Sequence, residues 1–398
     1  MTKRDSIITF IFSSVSLILL FAASASPIPT YVRLQERYAI STTTISLTAV
    51  CYFIGCIIAL VVFARLSNHV GRKPVAIVTV LLGMAGLAVL MMVNNGITLL
   101  VARFLQGVSC GLASSTLSIF IIESGLHLSE KLVTTVSGSA VLLGLAIGGF
   151  LSGVLTQLFA GQSYLTYLIL LIALVVVLIG LFFSVDTVEK RAGALKSLKV
   201  RVKLPASTID MIVGAAGCFI ATWAFGGYFQ AFSAMVSKNF FHFNSPLLAA
   251  VILVAYMAPN VIGSNLSSRF TSLQGQRLGI IGFLLAIVLM LVAVMLRNLS
   301  LYLLTVIGAS IMQGIAYTSA MNALLKQVLK SENSEMLSLI YIISYAGAGI
   351  PSLIAGQVSK FISFYWVTVG YVIFTAIVAM VVLYDLRKQQ RDGLKEGL

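Results

Sequence analysis

The chain has 398 residues, of which 59% are hydrophobic and only 10% are charged, and its mean hydropathy is +1.04. Because the surface of a folded protein grows more slowly than its mass, a water-soluble domain of this length cannot bury so much apolar side-chain area. The formal net charge of +14 would suit a nucleic-acid-binding protein, so the positions of the charges must decide whether that function is possible.

Long apolar segments follow one another along the chain and predict about twelve transmembrane helices, each close to the ~20 residues that cross a ~30 Å hydrocarbon core. The predicted crossings are 6–26, 43–65, 74–94, 97–122, 132–159, 163–185, 208–236, 246–268, 276–297, 299–327, 334–359 and 365–385. The first crossing is similar to a signal peptide, but the many hydrophobic segments that follow favour its retention. We therefore expect an all-α membrane protein embedded in a lipid bilayer.

The Lys and Arg residues are distributed unequally between the two sides of this predicted membrane. About 20 of the 26 fall on the side that also holds both chain termini. The opposite side has only Arg33, Arg37, Lys238, Arg297 and Lys360. This positive-inside pattern predicts cytoplasmic termini and a bacterial-type inner (plasma) membrane. The basic charge therefore reflects topology, and we expect no nucleic-acid partner.

Residues suited to catalysis or metal binding are few and scattered. The four cysteines all fall within predicted helices, where thiols usually serve packing; they are Cys51, Cys56, Cys110 and Cys218. The three histidines lie far apart along the chain, and no nucleophile and base are suitably spaced. We expect neither an enzyme nor a bound cofactor.

One long basic connection, residues 186–207, divides the chain into predicted six-helix halves at 1–185 and 208–385, with a cytoplasmic tail at 386–398. The two halves repeat each other weakly. ARLSNHV at 64–70 is echoed by SNLSSRF at 264–270, and RFLQG at 103–107 by SIMQG at 310–314. Duplicated halves are typical of secondary transporters, whose substrate site lies between the halves near the bilayer midplane.

Three segments of the first half match known transporter motifs. ARLSNHVGRKP at 64–74 resembles the loop pattern GxLaDRxGRKP, RFLQG resembles RxxQG of a fourth helix, and GLAIGGFLSG at 144–153 resembles GxxxGPxxGG of a fifth helix. In this order and placement the chain resembles the major facilitator superfamily over essentially its whole length. Within that family it is most similar to the twelve-helix branch of proton antiporters that export drugs or metabolites.

The chain also departs from the family patterns. Asn68 stands where the loop motif has Asp, Gly149 where the fifth-helix motif has Pro, and Ser152 where it has Gly. Many efflux relatives carry a carboxylate within the first helix, whereas this chain has AASAS at 22–26. The first predicted helix therefore offers no carboxylate that could carry a proton.

The resemblance implies two sets of gating residues. Those of the loop and the end of helix four are Leu66, Asn68, Gly71, Arg72, Lys73 and Glu123, and those of helix five are Gly144, Gly148, Gly149 and Gly153. The family pattern pairs an acid at the position of Glu123 with the loop arginine. Small residues in helix five allow close helix contact and sliding. The alternatives are a solvated helix end for Glu123 and ordinary membrane packing for the glycines.

Arg103 is the most distinctive single residue, because a guanidinium inside a membrane helix is costly unless it faces protein or water. Gln106 lies three residues on and shares its helix face, and Gly107 permits close approach of another helix. The alternative is that Arg103 snorkels to the outer surface. Glu36 is the only outer acid, and it is either a proton acceptor or part of a surface ion pair.

Polar or aromatic side chains inside the second-half helices are the candidates for lining a substrate cavity, since such groups bind flat, amphipathic ligands. They are Trp223, Tyr228, Gln230, Asn260, Gln313, Tyr317, Asn322, Tyr341 and Tyr345, with Tyr256 as a further candidate.

The sequence thus predicts a monomeric secondary active transporter that exports small amphipathic molecules by alternating access, with protons as the coupling ion. The alternative is an importer or uniporter of a small metabolite in the same fold. A receptor or scaffold role is disfavoured because no soluble domain is predicted to carry it.

Overall fold

The computed structural model describes residues 2–159, 162, 164–198, 208–328 and 333–396. Within these residues twelve helices are long and apolar enough to span a membrane, which confirms the predicted all-α class. The spans of the first six are α1 (Lys3–Tyr38), α2 (Thr42–Phe63), α3 (Arg72–Met91), α4 (Gly96–His127), α5 (Val136–Leu158) and α6 (Leu165–Phe182). The others are α7 (Met211–Phe241), α8 (Pro246–Arg269), α9 (Ser272–Met295), α10 (Leu299–Leu325), α11 (Met336–Val358) and α12 (Phe364–Arg391).

Side-chain caps fix where several of these helices begin. Asn95 accepts a hydrogen bond from the backbone N–H of Thr98 at 2.9 Å, and Asn298 accepts one from Leu301 at 2.9 Å. Such caps satisfy backbone donors that a helix N-terminus leaves unpaired. Because they open α4 and α10, the fourth helix of each half begins in the same way.

Two helices extend furthest beyond their predicted ends. The predicted crossing 6–26 continues to Tyr38, because helix Lys3–Ala25 is followed by a 3-10 turn at Ile28–Thr30 and a second helix at Tyr31–Tyr38. The last helix continues from the predicted end at 385 to Glu396. Its extension is rich in Lys, Arg, Gln and Leu, which favour helix, and Gln389 donates to Asp385 one turn back at 2.7 Å.

The chain forms two compact units, of which the first contains Met1–Arg201 and Asn244–Val254 and the second contains Val202–Phe243 and Ala255–Leu398. In the first, α1 packs against α4, α5 and α6. In the second, α7 packs against α10, α11 and α12. The proposed boundaries of the two halves stay a prediction.

The echo RFLQG/SIMQG corresponds to equivalent helix crossings. A Cβ added at Gly107 on α4 would meet the backbone carbonyl of Tyr52 on α2. A Cβ added at Gly314 on α10 would likewise meet the carbonyl of Asn260 on α8. The two glycines therefore allow backbone-to-backbone approach at matching places in the two units.

Candidate functional site

The loop between α2 and α3 forms the first part of the site. The last turns of α2, Ala59–Phe63, have π-helical geometry, and a short helix at Ser67–Val70 follows. Gly71 then adopts φ +108°, a conformation that side-chain-bearing residues rarely tolerate, and α3 begins at Arg72. This sharp turn aims the Arg72 side chain at the end of α4.

Arg72 and Glu123 form the ion pair that the family pattern implies. Arg72 Nε donates to Glu123 Oε2 at 3.2 Å and Nη2 donates to Oε1 at 3.0 Å, so the contact is bidentate. The Arg72 side chain is only 6% exposed and that of Glu123 is 30% exposed. A partly buried, two-pronged pair of this kind is stronger than an exposed ion pair.

The third branch of the guanidinium contacts the loop itself. Arg72 Nη1 donates to Ser67 Oγ at 2.6 Å and to Asn68 Oδ1 at 2.5 Å. Asn68 therefore keeps a neutral hydrogen bond to the arginine, although it carries no charge. Leu66 packs with a small apolar cluster that contains Ala59 and Val75, which holds the loop in place. Lys73 donates to the carbonyl oxygen of Phe182 at 2.6 Å.

The structure adds two residues that the sequence analysis did not select. Asp186, just after α6, accepts a hydrogen bond from the backbone N–H of Arg72 at 2.8 Å, and Thr187 donates to Glu123 Oε2. An anion at this place interacts favourably with the N-terminus of α3. Asp186 thus supplies a negative charge where the loop motif of the family would have used residue 68. The only sequence signal is the pair Asp-Thr at the end of a hydrophobic segment.

The first part of the predicted linker is held against the same loop. The backbone N–H of Arg191 donates to the His69 carbonyl at 2.9 Å, and His69 Nδ1 lies 3.2 Å from the Ala192 carbonyl. We call residues Ser67, Asn68, Arg72, Glu123, Asp186 and Thr187 the inner network. It joins the α2–α3 loop, the end of α4 and the segment after α6.

Arg103 is completely buried in α4, so the alternative that it snorkels to the surface is wrong. Its Nη1 donates to the Ser24 carbonyl at 2.5 Å and to Gln106 Oε1 at 2.7 Å. Its guanidinium carbon lies 4.7 Å from the centre of the Tyr52 ring, a cation–π distance. Within the described residues, Nε and Nη2 have no hydrogen-bond partner.

The break in α1 explains why Arg103 and Gln106 point where they do. Ala23 and Ser24 are among the last residues of helix Lys3–Ala25, whose final carbonyls lack helical partners. Pro27 has no N–H to offer the Ala23 carbonyl. Gln106 Nε2 donates to that carbonyl at 2.8 Å, beside the bond from Arg103 to Ser24. The two side chains therefore satisfy an interrupted helix with donors from α4.

The four predicted glycines of α5 occupy two faces. A Cβ at Gly144 or Gly148 would meet backbone atoms of α1, at Ile18 and Ala22. On the other face, a Cβ at Gly149 would lie 2.9 Å from Leu253, and one at Gly153 would lie 3.0 Å from the Pro246 carbonyl, within the part of α8 that belongs to the first unit. Close contact is thus established for both faces, while sliding stays a prediction.

Four of the predicted cavity residues form one group, which we call the aromatic patch: Trp223, Tyr317, Tyr341 and Tyr345. The Trp223 ring lies 5.2 Å from Tyr345 and 6.1 Å from Tyr317, while Tyr341 stacks on Tyr345 at 6.0 Å. Three helices, α7, α10 and α11, supply these rings. Trp223, Tyr317 and Tyr341 are half-buried, so part of each ring remains accessible.

The other cavity candidates lie elsewhere. Tyr228 is fully buried among other rings and its hydroxyl lies 2.8 Å from Thr368 Oγ1, a placement that favours packing over substrate contact. Tyr256 is also buried and donates to the Thr222 carbonyl at 2.7 Å. Gln230 and Gln313 are buried, Asn260 is half-buried, and Asn322 is exposed.

Glu36 lies on the surface of the first unit, away from the inner network. It is exposed and accepts a hydrogen bond from Asn244 Nδ2 at 3.2 Å. It lines a cavity of about 620 Å³ together with Arg33, Arg37 and Tyr164. Within the described ranges, His, Cys, Asp and Glu form no group of three that could hold a metal ion.

The comparisons with known proteins agree with this architecture. A family model described as Major Facilitator Superfamily matches residues 11–312. The nucleoside transporter NupG, solved as a D323A mutant, aligns with a TM-score of 0.72 and 11% identity over 95% of this chain and 99% of its own. A bacterial homolog of the human lysosomal transporter Spinster, solved in an inward-facing and occupied conformation, aligns with a TM-score of 0.74 and 14% identity over 97% of this chain and 98% of its own. The curated proteins contain no match. The chain is therefore a multi-pass membrane transporter that belongs to the major facilitator superfamily.

Proposed function

We propose that the protein is a monomeric secondary active transporter that exports small amphipathic molecules by alternating access in exchange for protons. The observation that carries this proposal is the Arg72–Glu123 pair of the inner network. An ion pair that joins a loop to the ends of two helices is a contact that can form in one access state and break in the other. The half-buried rings of the aromatic patch support an amphipathic ligand.

Glu123 is the better candidate for coupling to protons. Its carboxylate pairs with Arg72 and accepts from Thr187, so protonation would remove the charge that holds the arginine. Proton binding would then weaken the inner network and favour one access state. Glu36 is the second candidate, because the sequence has no Asp or Glu between residues 37 and 122.

The test uses cells and then purified protein. Cells with and without the protein are compared for accumulation of amphipathic compounds, and a compound that differs is measured in proteoliposomes under an imposed pH gradient. We expect uphill flux from the native chain. We expect Glu123→Gln to abolish uphill flux but retain downhill exchange. Glu189→Gln, which removes an exposed acid of the segment after α6, should leave both intact. Concentration of substrate by the double variant Glu36→Gln, Glu123→Gln would exclude both acids as proton carriers.

The second candidate is uniport or import of a small metabolite. It is favoured by the lack of any Asp or Glu between residues 211 and 331, which leaves most second-half spans without a protonatable carboxylate. The structurally similar NupG is itself described as a nucleoside transporter. A native flux that is independent of the pH gradient would support this candidate against antiport.

We also propose that the termini and residues 186–207 face the cytoplasm of a bacterial-type inner membrane. The excess of Lys and Arg on that side supports this orientation. Single cysteines placed at 190 and 391 in a cysteine-free variant should react with a membrane-impermeant reagent only after the cells are opened. Reaction in intact cells would reverse the orientation.

A further inference from the structure

A polar stripe on α10 has hydrogen-bonding capacity that the protein does not use. Ser310 is fully buried and Gln313 is 8% exposed. Within the described residues, neither Ser310 Oγ nor Gln313 Oε1 has a hydrogen-bond partner. Buried polar atoms in native proteins are nearly always hydrogen-bonded, so two such atoms without a partner on one helix are candidates for binding a ligand.

The equivalent glutamine in the first unit has a hydrogen-bond partner for its amide oxygen. Gln106 occupies the place of Gln313 in the echoed motif, and its Oε1 accepts a hydrogen bond from Arg103. In the second motif the arginine is replaced by Ser310, so no cation serves Gln313. The amide oxygen of Gln313 in the second unit therefore has no hydrogen-bond partner, whereas the equivalent oxygen of Gln106 in the first unit has one.

The aromatic patch begins one helical turn from this acceptor. Tyr317 follows Gln313 by four residues, and Ser310, Gln313 and Tyr317 fall within an arc of about 60° on a helix of 3.6 residues per turn. The Tyr317 ring contacts Trp223, which in turn contacts Tyr345. The half-buried indole of Trp223 thus lies against a ring that shares its helix face with Ser310 and Gln313.

The charge of the surroundings narrows the class of ligand. α10 has no charged residue, α7 has none from 211 to 237, and α11 has none from 336 to 358. A charged ligand entering this region would lose water without gaining a counter-ion from these three helices, which is costly. An uncharged ring that carries an N–H or O–H group would instead stack on the rings and pair with the amide oxygen.

We propose that Trp223, Tyr317, Tyr345 and Gln313 form a subsite for an uncharged planar ring bearing a hydrogen-bond donor, with the ring against Trp223 and the donor bonded to Gln313 Oε1. This inference rests on the proposed transport function, since it names the chemical class of the substrate. It requires neither a cation nor a carboxylate on the ligand.

The chain has only two tryptophans, which gives a direct optical test. Trp366 is 59% exposed on α12, so Trp366→Phe is expected to fold and leaves Trp223 as the single tryptophan. Three probes share one ring system: benzimidazole, which is neutral with an N–H donor, 1-methylbenzimidazole, which is neutral without a donor, and the 1,3-dimethylbenzimidazolium cation. Quenching of Trp223 emission is titrated with each probe in alkaline buffer, where benzimidazole is uncharged.

We expect saturable quenching by benzimidazole and at least about fivefold weaker binding of the other two probes, because each leaves the buried acceptor unpaired. Gln313→Leu should make benzimidazole and 1-methylbenzimidazole bind equally. Gln276→Leu is the control, since Gln276 is also buried in this unit but donates to the Ser272 carbonyl, and it should preserve the preference. Thermal melts verify that each variant is folded.

The proposal is overturned if the cation binds more tightly than benzimidazole, if Gln313→Leu preserves the preference, or if no probe gives saturable quenching. The measurement needs no flux. Selective binding without any transport would contradict the proposed function alone, whereas transport without this selectivity would contradict the subsite alone.

Discussion

Asp186 accepts a hydrogen bond from the backbone N–H of Arg72 across 114 positions of the chain. The carboxylate therefore lies at the N-terminus of α3, where the positive end of the helix dipole favours an anion. Because residue 68 is Asn in this chain, the negative charge at this helix end comes from the segment after α6. The inner network therefore has an acid at the start of α3, but this acid comes from the segment after α6 and not from residue 68.

Asp186→Asn should loosen the first turn of α3. Asn can still accept the hydrogen bond, but the charge, worth about 0.3–1 kcal/mol at a helix N-terminus, is lost. Hydrogen–deuterium exchange of a peptide covering 66–76 should therefore be up to about fivefold faster. Glu189→Gln removes a nearby exposed charge and should leave that peptide unchanged. Equal effects of the two substitutions would mean that only net charge matters.

Asn68→Asp should compensate for the loss of Asp186. Asn68 Oδ1 already accepts from Arg72 Nη1, so an aspartate there would pair with the same cation and restore a negative charge near α3. The double variant Asn68→Asp, Asp186→Asn is expected to exchange the 66–76 peptide more slowly than Asp186→Asn alone. In the native background the gain should be smaller, because Glu123 and Asp186 already serve Arg72. Additive effects in the double variant would show that the two positions act independently.

The sequence predicted the twelve helices because long apolar runs are a strong local signal. The Arg72–Glu123 pair was implied by the resemblance of the loop motif to the family pattern, and a solvated helix-end charge was the alternative for Glu123. The sequence did not identify Asp186 or Thr187, since their role depends on where the chain emerges from α6. It also did not separate Tyr228 from Trp223. Both lie on α7, which is apolar on all sides, so periodicity could not show which face is packed and which remains accessible.

Arg103→Ala should impair both stability and transport. It removes the charged hydrogen bond to the Ser24 carbonyl and uncovers the Tyr52 ring, a loss of about 1.5–3 kcal/mol. Arg103→Lys should recover only part, because lysine has no planar guanidinium to lie over the Tyr52 ring while its end bonds to Ser24. Equilibrium unfolding in SDS measures the first effect and flux the second. Near-normal stability of the alanine variant would contradict a role in holding α1.

The loss of stability caused by Gln106→Leu should depend on the presence of Pro27. In the native chain Gln106 serves a carbonyl that Pro27 cannot, whereas in a Pro27→Ala background the backbone N–H of residue 27 is available to Ala23. A double-mutant cycle should therefore give a coupling free energy of about 0.5–3 kcal/mol, with the smaller cost of Gln106→Leu in the alanine background. Unfolding midpoints in SDS supply the values. Additive changes in unfolding free energy would mean that the contribution of Gln106 does not depend on Pro27.

Gly314→Ala should destabilise the second unit, because the new Cβ would meet the Asn260 carbonyl and force α8 and α10 apart. The cost of such overpacking is about 1–3 kcal/mol. Gly308→Ala is the matched control on the same helix, since a Cβ there has no neighbour within 4 Å, and it should be neutral or slightly stabilising. Thermal melts of the two variants measure the difference. Equal melting temperatures would show that α8 and α10 can separate at no cost.

The interruption divides α1 into two segments that bond to different helices. The segment Lys3–Ala25 is fixed to α4 through Arg103 and Gln106, while Tyr31–Tyr38 is connected to α5 through the Arg33 bond to the Thr156 carbonyl. At the end of the first segment, the Ala23 carbonyl accepts hydrogen bonds from the side chains of Gln106 and Ser26, so the helical backbone hydrogen bonds do not continue from one segment into the other. A change of angle between the two segments, centred on residues 26–29, would therefore leave the backbone hydrogen bonds within Lys3–Ala25 intact.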